Sequence, residues 1–404
     1  MKRLLELRVR VPGQWSDAWL YKGSLLLWTP DGRLAWIKLD QIRNEVNRQG
    51  GAAARLLADY LIFRTDWKVG EQFVTLQKTA TALNALVIDA TAHNPDLCFE
   101  VTAAPHLVPM HERLEGFLLD VAVTGNRVFS ATTAGLFETE FNPEYPKNDN
   151  PLILSESGRV NSVAIASNTI AAAMEDKGLR TAPIFFGEGA NWHSSPSSFK
   201  LIDDYAISTS FSSYNLLNYN GDAAPEFLRA RTQRESAGGD QSYDRTVIVD
   251  HDHPESILKP VTDAAVAGTT VGPASDELYV VGNSNYRLLV SDGQDFASVI
   301  NLGWGSPAER RGIVRSRDFV VDSRAGEMVA TTSETRQLKS GFVLESYETI
   351  SLLTRDGVHI LPDQGVLRTR TFPRSRRHED TFASICNDHV DLVGFLEVPD
   401  SRLG

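Results

Sequence analysis

The chain has 404 residues, 42% of them hydrophobic and 23% charged, and this balance excludes a wholly disordered protein. Its formal net charge of −12 makes the average surface acidic and disfavours general binding to the phosphate backbone of nucleic acids. Its two cysteines, Cys98 and Cys386, form no C-x-x-C pair, so neither a disulfide framework nor a structural zinc site is supported. Such cysteine usage is typical of the reducing cytoplasm, where we expect the protein.

The first predicted element is a strand near the start of the sequence. Apolar and charged residues alternate from Leu5 to Val11, and a period of two is typical of a half-buried strand. The charged residues also interrupt the apolar stretch that a secretory signal requires. No run of about 18 apolar residues occurs anywhere, so we expect no transmembrane segment and no membrane partner.

A first repeat unit follows the N-terminal strand. Residues 18–27 contain a strand, a turn at Gly23 and a second strand, and residues 34–37 supply a third strand. The turn Asp31-Gly32 separates the second strand from the third. This pattern predicts a small antiparallel sheet.

A helical insertion is predicted over residues 40–62, after the first unit. Asp40 is positioned to cap a helix that buries Ile42 and Val46. Gly50-Gly51 interrupts the helix, and residues 52–60 have a helical pattern again. We expect this insertion to pack on the rim of the fold, with docking of a partner as the alternative.

Two segments in the middle of the chain repeat each other, residues 119–131 and residues 161–173. Val121 aligns with Val163, and Asn126 aligns with Asn168. Each segment is a short strand, a tight turn at an asparagine that tolerates positive φ, and a second strand of small residues. Small residues suit strands that crowd toward a central axis.

Units of this kind are predicted to begin near residues 18, 73, 121, 163, 205, 264 and 318. A spacing of about 40–45 residues is that of four-stranded propeller blades. We therefore predict an all-β protein, a β-propeller of seven blades, with six or eight as alternatives. Strands over residues 382–386 and 391–398 would pair with the N-terminal strand, so that residues 1–404 form one closed domain.

The two repeated segments resemble WD-repeat blades. Residues 116–141 and 159–184 show the same succession of strand, turn, alanine-rich strand, glycine turn and strand. No Trp-Asp pair closes a unit and no Gly-His pair opens one, so the resemblance is to a divergent WD-repeat-like propeller. It implies a platform for protein–protein interaction.

Candidate binding residues lie where the repeat is interrupted by long loops. Aromatic and arginine side chains are frequent at binding hot spots, and they occur in these loops at Trp192, His193, Trp304, Arg310, Arg311, Arg374, Arg376 and Arg377. The last three follow Arg368 and Arg370 in one basic cluster, which suits an acidic protein surface. The alternatives are aromatic rings that fill their own loops and arginines on a solvated loop.

Metal and catalytic signals are weak. His251 and His253 share a face of an extended segment, as two zinc ligands could, although a polar loop before Pro254 explains them equally. Neither a nucleophile elbow nor a phosphate-binding glycine loop is present. Cys98 lies between Leu97 and Phe99, which indicates a buried, inert thiol. We therefore expect no cofactor and no metal.

The sequence favours a non-enzymatic platform that belongs to a multi-component complex and binds a protein partner. A propeller hydrolase or lactonase is the first alternative, and it would need a metal held in the central channel by residues such as Asp120, Asn161, Asp204 and Asp263. A ligand or glycan sensor that uses Trp192 and Trp304 is the second. Fold alone does not decide among the three.

Overall fold

The computed structural model describes most of the chain. The described ranges are 2–63, 80–102, 107–109, 113–144, 151–166, 168–184, 198–211, 215–220, 226–238, 241–252, 279–284, 287–291, 297–301, 315–317, 332–337, 341–346, 350–354, 357–361, 365–372, 378 and 381–399.

The described elements are mostly β-strands. Those of the first half are β1 (Lys2–Pro12), β2 (Asp17–Tyr21), β3 (Ser24–Trp28), β4 (Leu34–Lys38), β5 (Cys98–Glu100), β6 (Val108–Pro109), β7 (Leu118–Thr124), β8 (Arg127–Thr132), β9 (Gly135–Glu140), β10 (Ile153–Ser157), β11 (Ser162–Ala166), β12 (Thr169–Ala173), β13 (Leu179–Pro183) and β14 (Lys200–Asp203). Between β4 and β5 lie the helix α1 (Leu39–Ala58), a π-helical turn (Asp59–Phe63) and the helix α2 (Ala80–His93).

The second half continues with strands alone in its described parts. They are β15 (Ser208–Phe211), β16 (Asn215–Tyr219), β17 (Glu226–Gly238), β18 (Gln241–Asp252), β19 (Tyr279–Ser284), β20 (Arg287–Ser291), β21 (Ala297–Asn301), β22 (Arg315–Arg317), β23 (Thr332–Gln337), β24 (Gly341–Ser346), β25 (Ile350–Thr354), β26 (Gly357–Leu361), β27 (Val366–Thr371), β28 (Thr381–Cys386) and β29 (His389–Pro399).

These strands pair into six four-stranded sheets and one five-stranded sheet. Sheet 1 has the order β2-β3-β4-β6, sheet 2 β7-β8-β9-β10, sheet 3 β11-β12-β13-β14, sheet 4 β15-β16-β17-β18, sheet 5 β19-β20-β21-β22 and sheet 6 β23-β24-β25-β26. Sheet 7 has the order β27-β28-β29-β1-β5. Among the described strands every pairing is antiparallel except that of β1 with β5.

The first strands of the sheets lie against one another in chain order. β2 contacts β7, β7 contacts β11, β11 contacts β15, β15 contacts β19, β19 contacts β23, β23 contacts β27, and β27 contacts β2. This succession of contacts returns to the strand where it began.

Sheets 1, 2 and 3 share the turn that joins their first and second strands. Gly125 and Asn126 have φ of 52° and 63°, and Asn168 has φ of 59°. In sheet 1 the corresponding residues are Lys22 and Gly23, with φ of 44° and 80°. Left-handed backbone of this kind suits a two-residue hairpin, and asparagine and glycine adopt it at low cost. The aligned asparagines of the sequence repeat therefore occupy equivalent positions in the fold.

The predicted unit starts near residues 18, 121, 163 and 205 lie close to the first residues of β2, β7, β11 and β15. The starts predicted near residues 73, 264 and 318 lie outside the described residues. The first described strands of sheets 5, 6 and 7 begin at Tyr279, Thr332 and Val366.

Sheet 7 joins strands from opposite parts of the chain. β1 pairs with β29 without a bulge, from Lys2 opposite Pro399 to Pro12 opposite His389. The apolar residues of β1 face a core that also contains α1 and strands of sheet 1. The alternation seen in the sequence thus separates a buried apolar face from a face that carries Arg8 and Arg10.

The start of helix α1 differs from the sequence prediction. Lys38 occupies the N-cap and makes no capping hydrogen bond, whereas Asp40 lies in the first turn. The helix begins directly at the end of β4, so Asp40 is too late to cap and instead accepts a 2.8 Å hydrogen bond from Arg43. Gly51, with φ of 73°, kinks the helix at the predicted glycine pair.

Helix α2 was not predicted. A strand unit was predicted to begin near residue 73, but residues 80–93 are helical. Leu83, Leu86, Val87 and Ala90 lie at helical spacing and pack against the core shared with α1 and sheet 7. This spacing is the signal that identifies the helix. Neither helix, within the part of the chain that the structure describes, is long and apolar enough to cross a membrane.

Candidate functional site

A buried ion network joins sheet 7 to sheets 1 and 2. Asp17, at the start of β2, is fully buried. It accepts hydrogen bonds from Arg370 Nε at 2.8 Å and from Arg368 Nη1 at 2.8 Å, and its Oδ1 also accepts from the Ala18 N–H at 2.8 Å. Burial opposes ionisation, but the two guanidinium groups and this N–H hold the pKa of the Asp17 carboxyl below its ordinary value.

Asp120 occupies the equivalent position in sheet 2. Its Oδ1 accepts from the Val121 N–H at 2.9 Å, and it lies 2.7 Å from Arg370 Nη1. Its Oδ2 accepts from the N–H of Val163, in the first strand of sheet 3, at 2.8 Å. Asp17 and Asp120 therefore connect the beginnings of neighbouring first strands.

These contacts define one face of the molecule. Ser162 in β11 hydrogen-bonds to the backbone of Thr209 in β15 at 3.4 Å, so the beginnings of the first strands of sheets 1 to 4 lie at the same end. In β27, Arg370 pairs with Asp17 at the start of β2, and Phe372, just after β27, packs on Trp19 farther along β2 with ring centroids 5.6 Å apart. β27 therefore runs in the same direction as β2, and its beginning lies at that end too. We call this end the upper face.

Large apolar side chains are exposed on the upper face. Phe117 immediately precedes β7 and is 75% exposed, and Leu367, the second residue of β27, is 58% exposed. Tyr205 and Ile207 immediately precede β15 and are 40% and 41% exposed. Three sheets therefore contribute exposed apolar residues to this face.

Phe117 is held firmly despite its exposure. Its N–H donates to Thr133 Oγ1 at 3.0 Å, and its carbonyl accepts from the Thr133 N–H at 3.0 Å. The preceding Gly116 has φ of 79°, and a Cβ there would lie 2.6 Å from Thr133 Oγ1. Glycine is therefore needed for the backbone to approach this turn, and the approach fixes the direction of Phe117.

A cluster of oxygen atoms lies at the upper end of sheet 4. The Asn218 side chain is fully buried, and its Nδ2 is 3.0 Å from Asp203 Oδ2, 2.9 Å from the Tyr205 carbonyl and 3.3 Å from Glu226 Oε2. The Asp203 and Glu226 carboxyl groups are also within hydrogen-bonding reach of each other. Burial raises the pKa of Asp203, but hydrogen bonds from Glu226, Asn218 and two backbone N–H groups outweigh it and lower that pKa.

The loop residues predicted to bind a partner lie outside the described residues. They are Trp192, His193, Trp304, Arg310, Arg311, Arg374, Arg376 and Arg377. His253 also lies outside, whereas His251 lies in β18 opposite Leu228.

The prediction of an exposed basic loop is wrong for Arg368 and Arg370. Both belong to β27. Arg368 pairs with Asp17, and Arg370 pairs with both Asp17 and Asp120. No sequence spacing could indicate this, because the paired residues are more than 200 positions apart. Their charges form ion pairs that connect sheet 7 to sheets 1 and 2.

Two of the four residues predicted for a channel metal, Asp120 and Asn161, have other partners. Asp120 is engaged by Arg370 and two N–H groups, as described above. Asn161 Oδ1 accepts from Arg159 Nε at 2.7 Å, and its Nδ2 donates to Glu175 at 2.8 Å. Asp204 is exposed, and Asp263 lies outside the described residues. Across the described ranges, no three His, Cys, Asp or Glu side chains come together as a metal-binding group.

The two thiols are separate and weakly acidic. Cys386 is buried, whereas Cys98 is only half-buried, in contrast to the buried position predicted for it. Burial raises the pKa of both thiols, to about 11 for Cys386. β29 and β1 lie between the strands that carry them.

No protein-family model matches the chain, and no curated protein matches it. Among solved structures, the Neurospora crassa Pan2 WD40 domain is 9% identical, with a TM-score of 0.46 over 97% of this chain and 95% of that chain. The WD40 β-propeller domain of Doa1 is 10% identical, with a TM-score of 0.33 over 70% of this chain and 94% of that chain. A chain of the mitotic checkpoint complex is 9% identical, with a TM-score of 0.42 over 98% and 94%.

Each of these structures is at most 10% identical to the chain and has a TM-score below 0.5, so the likeness to WD-repeat propellers stays a prediction from the sequence.

Proposed function

We propose that the chain is a seven-bladed β-propeller that acts as a non-enzymatic platform and binds a protein partner on its upper face. Support for the blade number comes from the seven sheets and from the contacts that lead from β2 through each first strand back to β2. In this arrangement α1, the π-helical turn and α2 are an insertion that follows the first blade.

The exposed apolar side chains of the upper face carry the functional proposal. Phe117 is the most exposed of them, and its backbone is fixed by Gly116 and Thr133. Burying such a side chain in a partner contributes about 1.5–3 kcal/mol. Little ordering entropy opposes that gain, because the aromatic anchor is already held in place.

A reducing compartment suits this platform. Cys98 and Cys386 are both free thiols, on strands separated by two others. A cytoplasmic location keeps such thiols reduced. The charge of −12 disfavours nucleic acid as the partner.

The proposal is tested by replacing the upper-face apolar residues in the tagged, full-length chain. We expect Phe117→Ser with Ile207→Ser to reduce at least tenfold the amount of a stoichiometric protein partner that co-purifies from the native cells. Ile88→Ser is the matched control, because Ile88 is 69% exposed on α2 and belongs to no first strand. Partner amounts are measured by quantitative mass spectrometry.

Three outcomes contradict the proposal. The wild-type chain could co-purify with no stoichiometric protein, the double variant could retain the partner fully, or Ile88→Ser could lose it equally. Circular dichroism of each variant shows that the fold is intact.

A further inference from the structure

Tyr205 and Ile207 are exposed on the upper face, yet the backbone that carries them is fixed. The Tyr205 carbonyl accepts a 2.9 Å hydrogen bond from the amide of the buried Asn218 side chain. The Ile207 N–H donates to the Tyr219 carbonyl at 2.8 Å. Both apolar side chains therefore project from a segment whose position does not depend on a partner, and a partner meets them already in place.

The turn between β12 and β13 brings an acidic side chain to this segment. Glu175 of the turn exchanges two backbone hydrogen bonds with Ala206, at 2.7 and 3.3 Å. The next residue of the turn, Asp176, and Tyr205 leave this antiparallel bridge on the same side. Asp204 precedes Tyr205 in the chain, and the side chains of both aspartates are exposed. Two carboxylates therefore border the exposed apolar pair.

We call these four residues the acidic patch: Asp176, Asp204, Tyr205 and Ile207. Two cations near it in the chain are engaged elsewhere. Arg159 lies 3.4 Å from Glu175, and Lys177 Nζ donates at 2.9 Å to the carbonyl of the last residue of β10. Within the described ranges, neither aspartate of the acidic patch forms an ion pair. Both are therefore available to a cation supplied from outside the chain.

We propose that the partner binds the acidic patch through a segment in which an apolar side chain is flanked by lysine or arginine. This inference rests on the proposed function and adds the chemistry of the partner. The apolar side chain covers Tyr205 and Ile207, and the flanking cations lie against Asp176 and Asp204. The net charge of −12 also attracts a basic segment over a longer distance and speeds its association.

Charge argues against the other occupants of this surface. An acidic segment is repelled by the two carboxylates. A second copy of the chain is disfavoured as well, because a two-fold contact sets the same patch on both sides and brings like charges together. An uncharged apolar segment leaves both carboxylates without a counter-charge at the contact, which costs desolvation energy.

A random peptide library displayed on phage supplies the probes for a test with the immobilised full-length chain. Peptides are retained if they bind the wild type and the Ile88→Ser variant but not the Tyr205→Ser, Ile207→Ser variant. We expect the retained peptides to combine an apolar residue with an excess of lysine and arginine over the unselected library, and to be depleted in aspartate and glutamate. Sequencing of the library before and after selection measures both changes.

Reversal of charge then measures what the two carboxylates contribute. A retained peptide is synthesised with a fluorescent label, and its Kd is measured by fluorescence anisotropy. We expect Asp176→Lys with Asp204→Lys to weaken binding about tenfold. The same peptide with glutamate in place of each lysine and arginine should bind this variant about tenfold more tightly than it binds the wild type.

Asp89→Lys with Asp96→Lys is the matched control. Both aspartates are exposed, Asp89 in α2 and Asp96 just after it, and the two substitutions change the net charge by the same amount. The control should leave the Kd of the basic peptide unchanged, so that an effect of the acidic patch is distinguished from an effect of total charge. Circular dichroism of each variant shows that the fold is retained.

The proposal is overturned if no peptide depends on Tyr205 and Ile207, or if the peptides that do so carry no excess of lysine and arginine. It is equally overturned if charge reversal of the acidic patch leaves the Kd unchanged, or if the α2 control weakens binding as much. In these cases the partner-binding proposal stands as long as Phe117→Ser with Ile207→Ser still loses the partner that co-purifies from the native cells.

Discussion

Asp17 keeps its charge in a place that water does not reach. Three groups stabilise the carboxylate, namely Arg370, Arg368 and the Ala18 N–H. Removing one partner of a buried ion pair leaves the other charge uncompensated, which costs more than the pair contributes. A substitution that removes the charge of Asp17 should therefore lower the stability of the fold.

Asp17→Asn should lower the free energy of unfolding at neutral pH by about 3–5 kcal/mol, because Arg370 loses its counter-charge. The folded-state pKa of Asp17 lies below its ordinary value. The contribution is therefore full above the unfolded pKa of about 3.9 and declines as pH falls through the folded pKa. Urea unfolding of both proteins at pH 7 and near pH 3 measures the difference.

Asp31→Asn is the control for this prediction. Asp31 pairs with Arg33 at 3.1 Å on the exposed surface, where an ion pair contributes little. The ionic explanation would be contradicted if the difference in free energy of unfolding between wild type and Asp17→Asn were the same at pH 7 and near pH 3.

Particular residues show which parts of the site the sequence could indicate. Asp120 was predicted as a candidate ligand of a central channel, but its partner Arg370 could not be inferred, because only the contact of sheet 7 with sheet 2 brings them together. Phe117 follows Gly116 inside a recognised repeat unit, where an apolar residue before the strand was a usable signal. Asn218 carried no signal, because its partners come from two separate segments, residues 203–205 and the start of β17.

Single elements were predictable where the pattern was local. The turns at Asn126 and Asn168 followed from the aligned repeat, and both asparagines have positive φ. The start of α1 was placed too late, since its N-terminus is set by the end of β4 and carries no capping side chain. Helix α2 was missed, because its apolar spacing was read as part of a strand unit.

Strand β28 offers a direct test of packing in sheet 7 through Cys386. At pH 8 a thiol with a pKa of about 11 is ionised in about one molecule per thousand. Because Cys386 is also buried, we expect iodoacetamide to modify the native chain only at Cys98, and slowly, whereas both thiols react in denaturant. Intact-protein mass spectrometry counts the modified thiols.

The Cys98→Ser variant provides the control, since its native form should then remain unmodified. Rapid reaction of Cys386 in this variant, without denaturant, would show that the end of β28 opens and that sheet 7 is not packed as described.

At the scale of the whole molecule, β1 secures sheet 7. It lies between β29 and β5, and its buried residues Leu7, Val9 and Val11 belong to the core that also contains α1. Burial of three such side chains contributes about 4–9 kcal/mol, which is comparable to the full stability of a domain.

Deletion of residues 1–12 should therefore abolish the cooperative thermal transition, because β5 loses the strand with which it pairs and β29 keeps only β28. Tryptophan fluorescence during heating measures the transition. Addition of a peptide of residues 1–14 should restore it in part, whereas Glu6→Gln in the full-length chain should leave it intact, as Glu6 lies on the charged face. A deleted chain that melts cooperatively, at an unchanged temperature, would refute this role for β1.

The pairing of β1 with β29 has a consequence for biosynthesis. Arg10 and Asp391, bonded at 2.9 Å, are 381 residues apart. A ribosome adding about 5–20 residues per second needs roughly 20–80 s to cover that interval. During this time β1 has no antiparallel partner, and its apolar face is a potential binding site for chaperones. Sheets 2 to 4 can form as they are translated, but sheet 7 can be completed only when almost the whole chain has been made.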